Sequence, residues 1–558
     1  MPSITWALAP LLLGAESLPA VRPTGWYWAA FIAYAILMIA VGVIIRHRRT
    51  DRATQNRSVT GNFEFWMAKR QLPGWRLAIS LTSGWLMLGW IGFGMSQIYM
   101  YGATGLWILP IPWLILCFLI VFMVPFVRRL GAISLPQALE QRFGPGARIL
   151  LAGLSCAVFL AWSQAELFMA GTLMAPFLGV DPWLCMTLFI IPPMIYTWLG
   201  GFRAVVITEL FQFALMSVFM IILAWVAIDA ASAASNGDII GRLTSVTPPW
   251  GEAGKTFNVG LLGWLFPVLL LIGYLPGWLI EQDLLLRIQA APSTAEARKG
   301  AWWGLLLIGI FVIILPAIIA FCALAAFPPE GANPAAAVGA SAINIIDALI
   351  AQLPLGLTVF MFIGIIACQM STIDTFANVA ALAASYDIIE PMQAKRGKSW
   401  ATRLTTARVV STVILIASLV CALFSTSLLD VYYISSGVLS ACIAIPAFFV
   451  FWRRTTQSAV ISAAFVGFVG TVGGFLYEMK FLQSLDEKAA HFYRNELPTF
   501  LQGSYGYNYI ALGVLLSLVT IVCVSLCTRA VGDRHQQAVK AKPIDDHHDF
   551  LAQVYPKS

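Results

Sequence analysis

Long apolar stretches recur along the whole chain and are separated by short polar segments. Each stretch is long enough to cross the hydrocarbon core of a bilayer, which takes about 20 residues in a helix. We count about thirteen, near residues 26–45, 77–98, 105–127, 149–178, 184–199, 204–230, 259–280, 301–326, 355–386, 405–424, 431–452, 457–477 and 507–528. The pattern predicts an all-α polytopic membrane protein. Composition agrees, because 59% of the 558 residues are hydrophobic and 11% are charged.

The basic residues indicate the topology. With thirteen spans, 28 of the 34 Lys and Arg fall on one side of the membrane. The positive-inside rule places that side in the cytoplasm. We therefore expect a multi-pass protein of the plasma membrane, a bacterial inner membrane, with the N-terminus outside and the C-terminus in the cytoplasm.

Several functional classes receive no support. The net charge of +7 lies in loops between spans, so it does not indicate nucleic acid. There is no Walker motif, no GxSxG element and no nucleophile–base pair, and the five His fall in loops or tails. We expect neither an enzyme nor an ATP-driven pump. The partners are a small-molecule solute and the lipid bilayer, and no obligate protein partner is evident.

Ten central spans divide into two sets of five with opposite membrane orientation, as in inverted-repeat transporters. Glycine and proline interrupt the first span of each set, at Gly84 and Gly89 and at Gly273 to Gly277. These interruptions predict unwound helices at a binding site, although close packing is an alternative reason for them. The predicted parts of this single transporter domain, 1–558, are an extra helix 26–45, repeat A 77–230, repeat B 259–452, two C-terminal helices 457–528 and a tail 529–558.

The most informative polar stretch lies inside the ninth span, from Cys368 to Thr375. Polar groups at that depth are costly and usually functional. Adjacent hydroxyls with nearby carbonyls suit a small hard cation, which prefers oxygen ligands. The stretch therefore predicts an ion site.

Four motifs resemble the sodium:solute symporter family. They are the run Gly200 to Gln212 (GGFRAVVITELFQ), Ser83 to Gly89 (SGWLMLG), Met370 to Thr372 (MST) and a loop from Gln282 to Ala291 that contains Arg287. The resemblance covers about residues 26 to 480 and implies the LeuT-type fold of two inverted five-helix repeats, with one additional N-terminal and two additional C-terminal helices. Its nearest branches are the sodium/proline and choline symporters.

The resemblance also implies one sodium site. Its ligands would be the hydroxyls of Ser371 and Thr372 and the carbonyl of Cys368, facing the carbonyls of Ile79 and Thr82 in the broken second span. The alternative is structural, because Ser and Thr in membrane helices often bond back to their own backbone. Na+ is the expected coupling ion.

Two departures from the family pattern predict a second site. The Asp of the signature is Glu209 here, and a small hydroxyl residue after the sodium ligands is Asp374. Two close buried carboxylates do not both ionise unless a cation lies between them. Glu209, Asp374 and Thr375 therefore form a hypothetical second cation or proton site. The alternative is an internal hydrogen-bonding pair with one partner protonated.

The candidate substrate-binding residues are Ser83, Gly84, Trp85, Trp162, Glu166 and Trp278. Glu166 lies in the fourth span, which lines the cavity in the family, and a carboxylate there suits an amine, a cation or a hydroxyl. A helix-to-helix hydrogen bond is the alternative for Glu166, and interfacial anchoring is the alternative for the tryptophans.

The sequence thus predicts a sodium-coupled secondary active symporter that imports a small polar organic solute, such as proline, by alternating access. A transporter-like solute sensor, or a symporter of choline, a carboxylate or a sugar, remains an alternative.

Overall fold

The computed structural model describes residues 23–53, 66–67, 70–200, 202–329, 342–397, 400–425, 428–477, 508–528 and 542–554. Over these ranges the chain is helical and contains no strand. Eleven helices are long and apolar enough to cross a membrane, and two bent helix pairs raise the number to thirteen. The predicted all-α polytopic architecture is confirmed.

The helices follow one another in the order α1 (Gly25–Ala53), α2 (Gly74–Trp85), α3 (Leu88–Tyr101), α4 (Pro110–Arg128), α5 (Leu135–Phe143), α6 (Pro145–Leu178), α7 (Pro182–Phe189), α8 (Ile191–Gly200), α9 (Phe202–Ala234), α10 (Ile239–Ser245), α11 (Leu265–Leu279), α12 (Gln282–Ala290), α13 (Thr294–Ile308), α14 (Leu315–Ala326), α15 (Ala342–Ile350), α16 (Leu355–Leu382), α17 (Glu390–Lys395), α18 (Trp400–Leu423), α19 (Leu428–Val438), α20 (Ile445–Phe448), α21 (Gln457–Phe468), α22 (Asn508–Cys527) and α23 (His547–Val554). Short π-helical turns link α13 to α14, α16 to α17, α19 to α20 and extend α21.

The first broken span consists of α2 and α3, which meet at an angle of 64°. The break itself is Leu86 and Met87, and Met87 is extended with φ −71° and ψ 103°. Gly84 and Gly89 lie inside the flanking helices. A break in this span was predicted correctly, but the glycines border it instead of forming it.

The second broken span consists of α11 and α12, which are bent by 41° at Ile280 and Glu281. Gly273 and Gly277 are part of α11 and have packing roles. A Cβ on Gly277 would lie 2.5 Å from Oγ of Ser440, and one on Gly273 would lie 2.6 Å from Cγ2 of Ile510. The packing alternative therefore describes these glycines better than the predicted interruption does.

The segment after α11 was predicted as a loop, and this prediction is wrong. Gln282–Ala290 is the helix α12, and all of its nine residues are buried. It contains four polar residues, Gln282, Asp283, Arg287 and Gln289, among leucines, an isoleucine and an alanine. The polar members turn toward neighbouring helices that supply partners, which is how a broken helix is accommodated at membrane depth.

Helix α16 lies at the centre of the bundle. It packs against α6, α9, α18 and both limbs of the first broken span. Every residue from Gly364 to Leu382 is buried. The ninth span thus holds its polar stretch against α2, as the sequence predicted.

The C-terminal segment 542–554 docks on the end of the bundle where α4 ends and α13 begins. The guanidinium of Arg128 donates to the carbonyl of Ile544 (3.1 Å) and to Oδ1 of Asp545 (2.8 Å). Arg70 donates to the same carbonyl at 2.7 Å and lies over the ring of Phe550, 4.2 Å from its centroid. Phe550 is fully buried. The segment therefore contacts the chain just before α2 and the end of α4.

Candidate functional site

Ser371, one of the predicted sodium ligands in α16, faces the broken helix α2. Oγ of Ser371 lies 2.8 Å from Oγ of Ser83, which is one turn before the break. Ser83, Ser371 and Thr372 are fully buried. Either hydroxyl can donate to the other, and the hydroxyl of Ser83 also lies 3.6 Å from Sδ of Met216.

Other predicted ligands are close in sequence to these two serines and form hydrogen bonds within their own helices. The hydroxyl of Thr372 donates to the carbonyl of Cys368 at 3.0 Å, and the carbonyl of Thr82 accepts from the N–H of Leu86 at 2.9 Å. Thr82 bonds back to Ala78 through its own hydroxyl, at 2.8 Å. The Thr82 carbonyl and the Thr372 hydroxyl each have a second lone pair, whereas the Cys368 carbonyl accepts both the helical N–H and the hydroxyl of Thr372. The set consists of hard, uncharged oxygens, which fits an alkali cation.

A buried ionic cluster lies beside this set. Glu209 of α9 accepts from Arg287 of α12, with Nη2 at 2.6 Å from Oε1. The carboxylate also accepts from Ser80 and, at 3.0 Å, from Thr375. Arg287 donates in addition to Ser80 (2.9 Å) and to Asp283 (3.3 Å). All of these side chains are buried, so the arginine is the counter-charge of Glu209.

Gly84 makes room for that arginine. A Cβ at position 84 would lie 2.9 Å from Nη2 of Arg287 and 3.1 Å from Oγ1 of Thr375. The predicted substrate residues Ser83 and Gly84 thus face the sodium ligands and the ionic cluster, respectively. Their role in substrate binding stays a prediction.

Asp374 is separate from the arginine. Its Oδ2 accepts a hydrogen bond from the hydroxyl of Tyr196 in α8, and its Oδ1 has no partner among the described residues. Asp374 is nevertheless close enough to Glu209 for the two carboxylates to interact. The three residues of the hypothetical second site therefore lie near one another. Glu209 and Thr375, however, contact Arg287, whereas Asp374 contacts Tyr196.

Glu166 of α6 lies at the other side of the break. One oxygen accepts from the N–H of Gly89 at 3.3 Å, and the N–H of Trp90 also interacts with the carboxylate. The hydroxyl of Tyr432 donates to the second oxygen. With its amide oriented to donate, Gln369 of α16 places its nitrogen 2.8 Å from Oε2 of Glu166. Glu166 thus caps the first turn of α3.

Aromatic rings cover the two breaks on the same side. The ring of Trp90 lies 5.0 Å from that of Tyr432 and 6.0 Å from that of Tyr433, and Trp278 stacks on Tyr274 at 5.1 Å. Trp90 and Trp278 meet edge to face at 6.2 Å. Trp278 lies two residues before the second break, and its role in substrate binding stays a prediction.

The other two candidate tryptophans have hydrogen-bonding partners inside the bundle. The indole N–H of Trp85 donates to Asp283 at 2.9 Å, and its ring packs on Trp113. The indole of Trp162 donates to Ser435 at 2.8 Å, and its ring packs on Phe376. Neither tryptophan is an interfacial anchor, because both are buried.

Sequence reasoning missed four partners that complete these clusters, namely Ser80, Asp283, Gln369 and Trp90. Arg287 was quoted as part of a motif but not as the partner of Glu209. One signal was present for Arg287. It is the single arginine of this stretch, and an acidic residue, Asp283, lies four residues before it. Such spacing places both side chains on one helix face.

Comparisons with known proteins agree with the architecture. Residues 65–467 match the Sodium:solute symporter family. The chain is 24% identical over 550 residues to Sodium/glucose cotransporter 4 of Danio rerio, covering 91% of this chain and 79% of that protein. It is 23% identical over 464 residues to Sodium/sialic acid symporter SiaT of Proteus mirabilis (strain HI4320), covering 80% of this chain and 82% of that protein.

A solved structure shares the fold. It is a Na+-coupled sialic acid symporter in a substrate-bound outward-open state, and it superposes with a TM-score of 0.65 at 17% identity. The superposition covers 90% of this chain and 98% of that chain. The predicted LeuT-type fold is confirmed.

The family match spans well over half of the chain and includes both broken spans and α16. Its members transport solutes and are not enzymes, so this prediction is also confirmed. Na+ is the coupling ion. The chain belongs to the sodium:solute symporter family.

Proposed function

We propose that this sodium-coupled symporter imports a small organic solute by alternating access across a bacterial inner membrane, with its N-terminus outside and its C-terminus in the cytoplasm. In this proposal Na+ binds between α2 and α16, and the solute binds beside the two breaks. The aromatic rings of Trp90 and Trp278 form part of the solute site.

The hydroxyl contact between Ser83 and Ser371 carries the proposal. It joins the half-helix before the first break to the central helix at a fully buried position. Na+ at this point would be held by the hydroxyls of Ser371 and Thr372 and the carbonyls of Cys368, Ile79 and Thr82. A bound cation supplies an attraction that acts on both helices at once, so its arrival and departure change how firmly they are joined.

The energetics make the number of coupled charges important. One charge moving through about 100 mV supplies roughly 2.3 kcal/mol. A tenfold accumulation of solute requires about 1.4 kcal/mol. One Na+ driven by the potential alone therefore sustains less than about a hundredfold gradient.

A second coupled ion would bind at Asp374 in this proposal. Glu209 already has Arg287 as its counter-charge, whereas Oδ1 of Asp374 lacks a partner among the described residues. Glu209 and Thr375 would then form one wall of this second ion site. Comparing Na+ stoichiometry and pH dependence of uptake for wild type and Asp374→Asn tests this, and unchanged coupling would contradict it.

The solutes named for the relatives indicate the class of solute that we propose. They include sodium symporters of glucose, sialic acid and pantothenate. We propose a solute of comparable size that carries several polar groups. Proline, the example suggested by the SGW run, has no support beyond that run.

The experiment measures thermal unfolding of the purified chain in NaCl and in KCl at equal ionic strength. A ligand that binds only the folded state raises stability by RT ln(1 + [L]/Kd). We expect Na+ to stabilise the wild type, and the double variant Ser371→Ala with Thr372→Ala to need at least about tenfold more Na+ for the same shift. Ser418→Ala is the matched control, because Ser418 is equally buried and its hydroxyl donates to the carbonyl of Ile414 in its own helix.

Equal stabilisation of the wild type by Na+ and K+ would overturn the sodium site. Sodium-dependent counterflow of a solute in liposomes then separates a transporter from a sensor, since a sensor binds the solute without exchanging it.

A further inference from the structure

The N-terminus of α3 is a half-helix end inside the membrane, and such ends attract anions. The first N–H groups of a helix have no partner within it, and the helix dipole favours negative charge there. In transporters with discontinuous helices these ends point at anionic substrate groups. Here Met87, the residue before α3, provides no side-chain cap.

A side chain of the protein already fills this position. The carboxylate of Glu166 accepts from Gly89, interacts with the N–H of Trp90, and accepts from Tyr432 and, in the donating orientation, from Gln369. An ionised carboxylate accepts about four hydrogen bonds. Gly89, Tyr432 and Gln369 therefore take up most of the acceptor capacity of Glu166, and the N–H of Trp90 lies beside the same carboxylate.

The backbone is shaped for this contact. A Cβ at position 89 would lie 2.9 Å from Oε1 of Glu166 and 3.3 Å from its carboxyl carbon. Glycine at 89 thus lets the carboxylate reach the helix end. Glu166 itself is fully buried, and it comes from α6, a helix that belongs to neither broken span.

We propose, resting on the transport function above, that Glu166 is a built-in substitute for a substrate carboxylate and is a specificity-determining residue. The solute that this protein carries is therefore free of carboxylate groups at the end that faces α3. A carboxylate placed there would meet both an occupied helix end and a like charge, whereas a hydroxyl-rich or cationic solute would meet the aromatic rings of Trp90 and Tyr433.

The first test uses the wild-type protein and matched solute pairs in NaCl. The pairs are choline with glycine betaine, glucose with glucuronate, and prolinamide with proline. Within any pair that binds, we expect the member without a carboxylate to bind at least about tenfold more tightly, which corresponds to about 1.4 kcal/mol. Thermal shift measures affinity, and liposome uptake measures transport. A preference for the carboxylate-bearing member would overturn the proposal.

The second test asks whether the helix end binds anions when Glu166 is absent. We expect sodium acetate, compared with NaCl at equal Na+, to raise the unfolding temperature of Glu166→Ala in a saturable manner and to leave the wild type unchanged. Acetamide, a neutral molecule of similar shape, is expected to have no such effect. Glu166→Gln fills the same space and should not respond to acetate, so it is the matched control.

The same series keeps the two proposals apart. Stabilisation of the wild type by Na+ over K+ reports on the sodium site, whereas acetate acts on Glu166→Ala at constant Na+. If acetate and acetamide act alike on Glu166→Ala, or if acetate stabilises the wild type, the role assigned to Glu166 is wrong even where Na+ binding persists. If Na+ does not stabilise the wild type but acetate acts on Glu166→Ala as expected, the proposed function is wrong and the role assigned to Glu166 stands.

Discussion

Two glutamates buried in the same bundle are stabilised in different ways. Glu209 is paired with a formal cation, Arg287, at 2.6 Å. Among the described residues, no cation lies within hydrogen-bonding distance of Glu166, which relies on backbone N–H groups, a tyrosine and an amide. A buried charge must be paired or well hydrogen-bonded to persist. Glu166 is thus held by a half-helix end and neutral donors, whereas Glu209 is held by an arginine.

The two arrangements have different mechanical consequences. The ion pair joins α9 to α12 and, through Ser80 and Thr375, to α2 and α16. The cap joins α6 to α3, α16 and α19. Each limb of the first broken span is therefore held by its own carboxylate, the limb before the break by Glu209 and the limb after it by Glu166.

The largest expected effect is loss of the arginine. Arg287→Met leaves Glu209 and Asp283 without their cation, and removing one partner of a buried ion pair costs about 3–5 kcal/mol. We expect a clearly lower unfolding temperature and a lower yield. The double variant Arg287→Met with Glu209→Gln should be less destabilised than the sum of the two single changes.

The control for this prediction is Arg396→Met, which removes an exposed arginine. Additive effects of the Arg287 and Glu209 changes in a double-mutant cycle would show that the ion pair contributes no coupling, and the comparison with Glu166 would then lose its basis.

A smaller loss of stability is expected when each of the two glutamates loses one hydroxyl donor. Tyr432→Phe removes a donor to Glu166, and Thr375→Val removes a donor to Glu209. Hydrogen bonds to charged groups contribute about 1.5–3 kcal/mol, and ordinary ones about 1 kcal/mol. We expect Tyr432→Phe to approach the larger value, because Glu166 has no cation, and Thr375→Val to stay near the smaller, because Arg287 and Ser80 remain.

Chemical denaturation of both variants in the same detergent measures this difference. Equal losses, or a larger loss for Thr375→Val, would mean that the helix end stabilises Glu166 as strongly as an arginine would.

The smallest effect concerns a third carboxylate, Asp545, which lies outside the membrane spans. Its side chain is 48% exposed, so the ion pair with Arg128 is screened by water and contributes at most about 1 kcal/mol. Burial raises the pKa of Asp545, but hydrogen bonds from Thr294 and Arg128 outweigh it, so this pKa lies below its ordinary value.

A carboxyl with a lowered pKa contributes stability above its ordinary pKa of about 4 and loses it as the pH falls through the lowered value. We therefore expect the C-terminal segment to stay docked from about pH 5 upward. Asp545→Asn should increase its hydrogen exchange and proteolysis with little change in global unfolding. Asp549→Asn, an exposed change on the same segment, is the control, and equal protection in both variants would contradict the contact.

The sequence predicted the span count, both bent spans and the facing of Ser371 toward α2, because hydropathy and hydroxyl placement depend on local composition. The segment of α12 was predicted as a loop because a helix that is buried on every face and contains several polar residues lacks the apolar pattern of a membrane span. Arg287 was assigned to the cytoplasmic loops for the same reason: a charge count does not distinguish a buried arginine with partners from a solvated one.

The partners of the carboxylates were harder to predict than the carboxylates themselves. Glu166 was identified as a candidate, but its role depends on where α3 begins, and that start is set by the bend at Leu86 and Met87 instead of by a capping residue. Contacts between helices far apart in sequence, such as Tyr432 with Glu166, follow from packing that the pattern along the chain does not encode.

The docked C-terminal segment has a consequence for the end of the bundle on which it lies. Its anchor points, Arg70, Arg128 and Thr294, belong to stretches that lead into α2, end α4 and begin α13. The half-helices α2 and α12 meet at the same place, where the N–H of Leu72 donates to the carbonyl of Ala290 at 3.0 Å. Asp545 accepts from both Arg128 at the end of α4 and Thr294 at the start of α13, so separating these two stretches would break at least one of its hydrogen bonds.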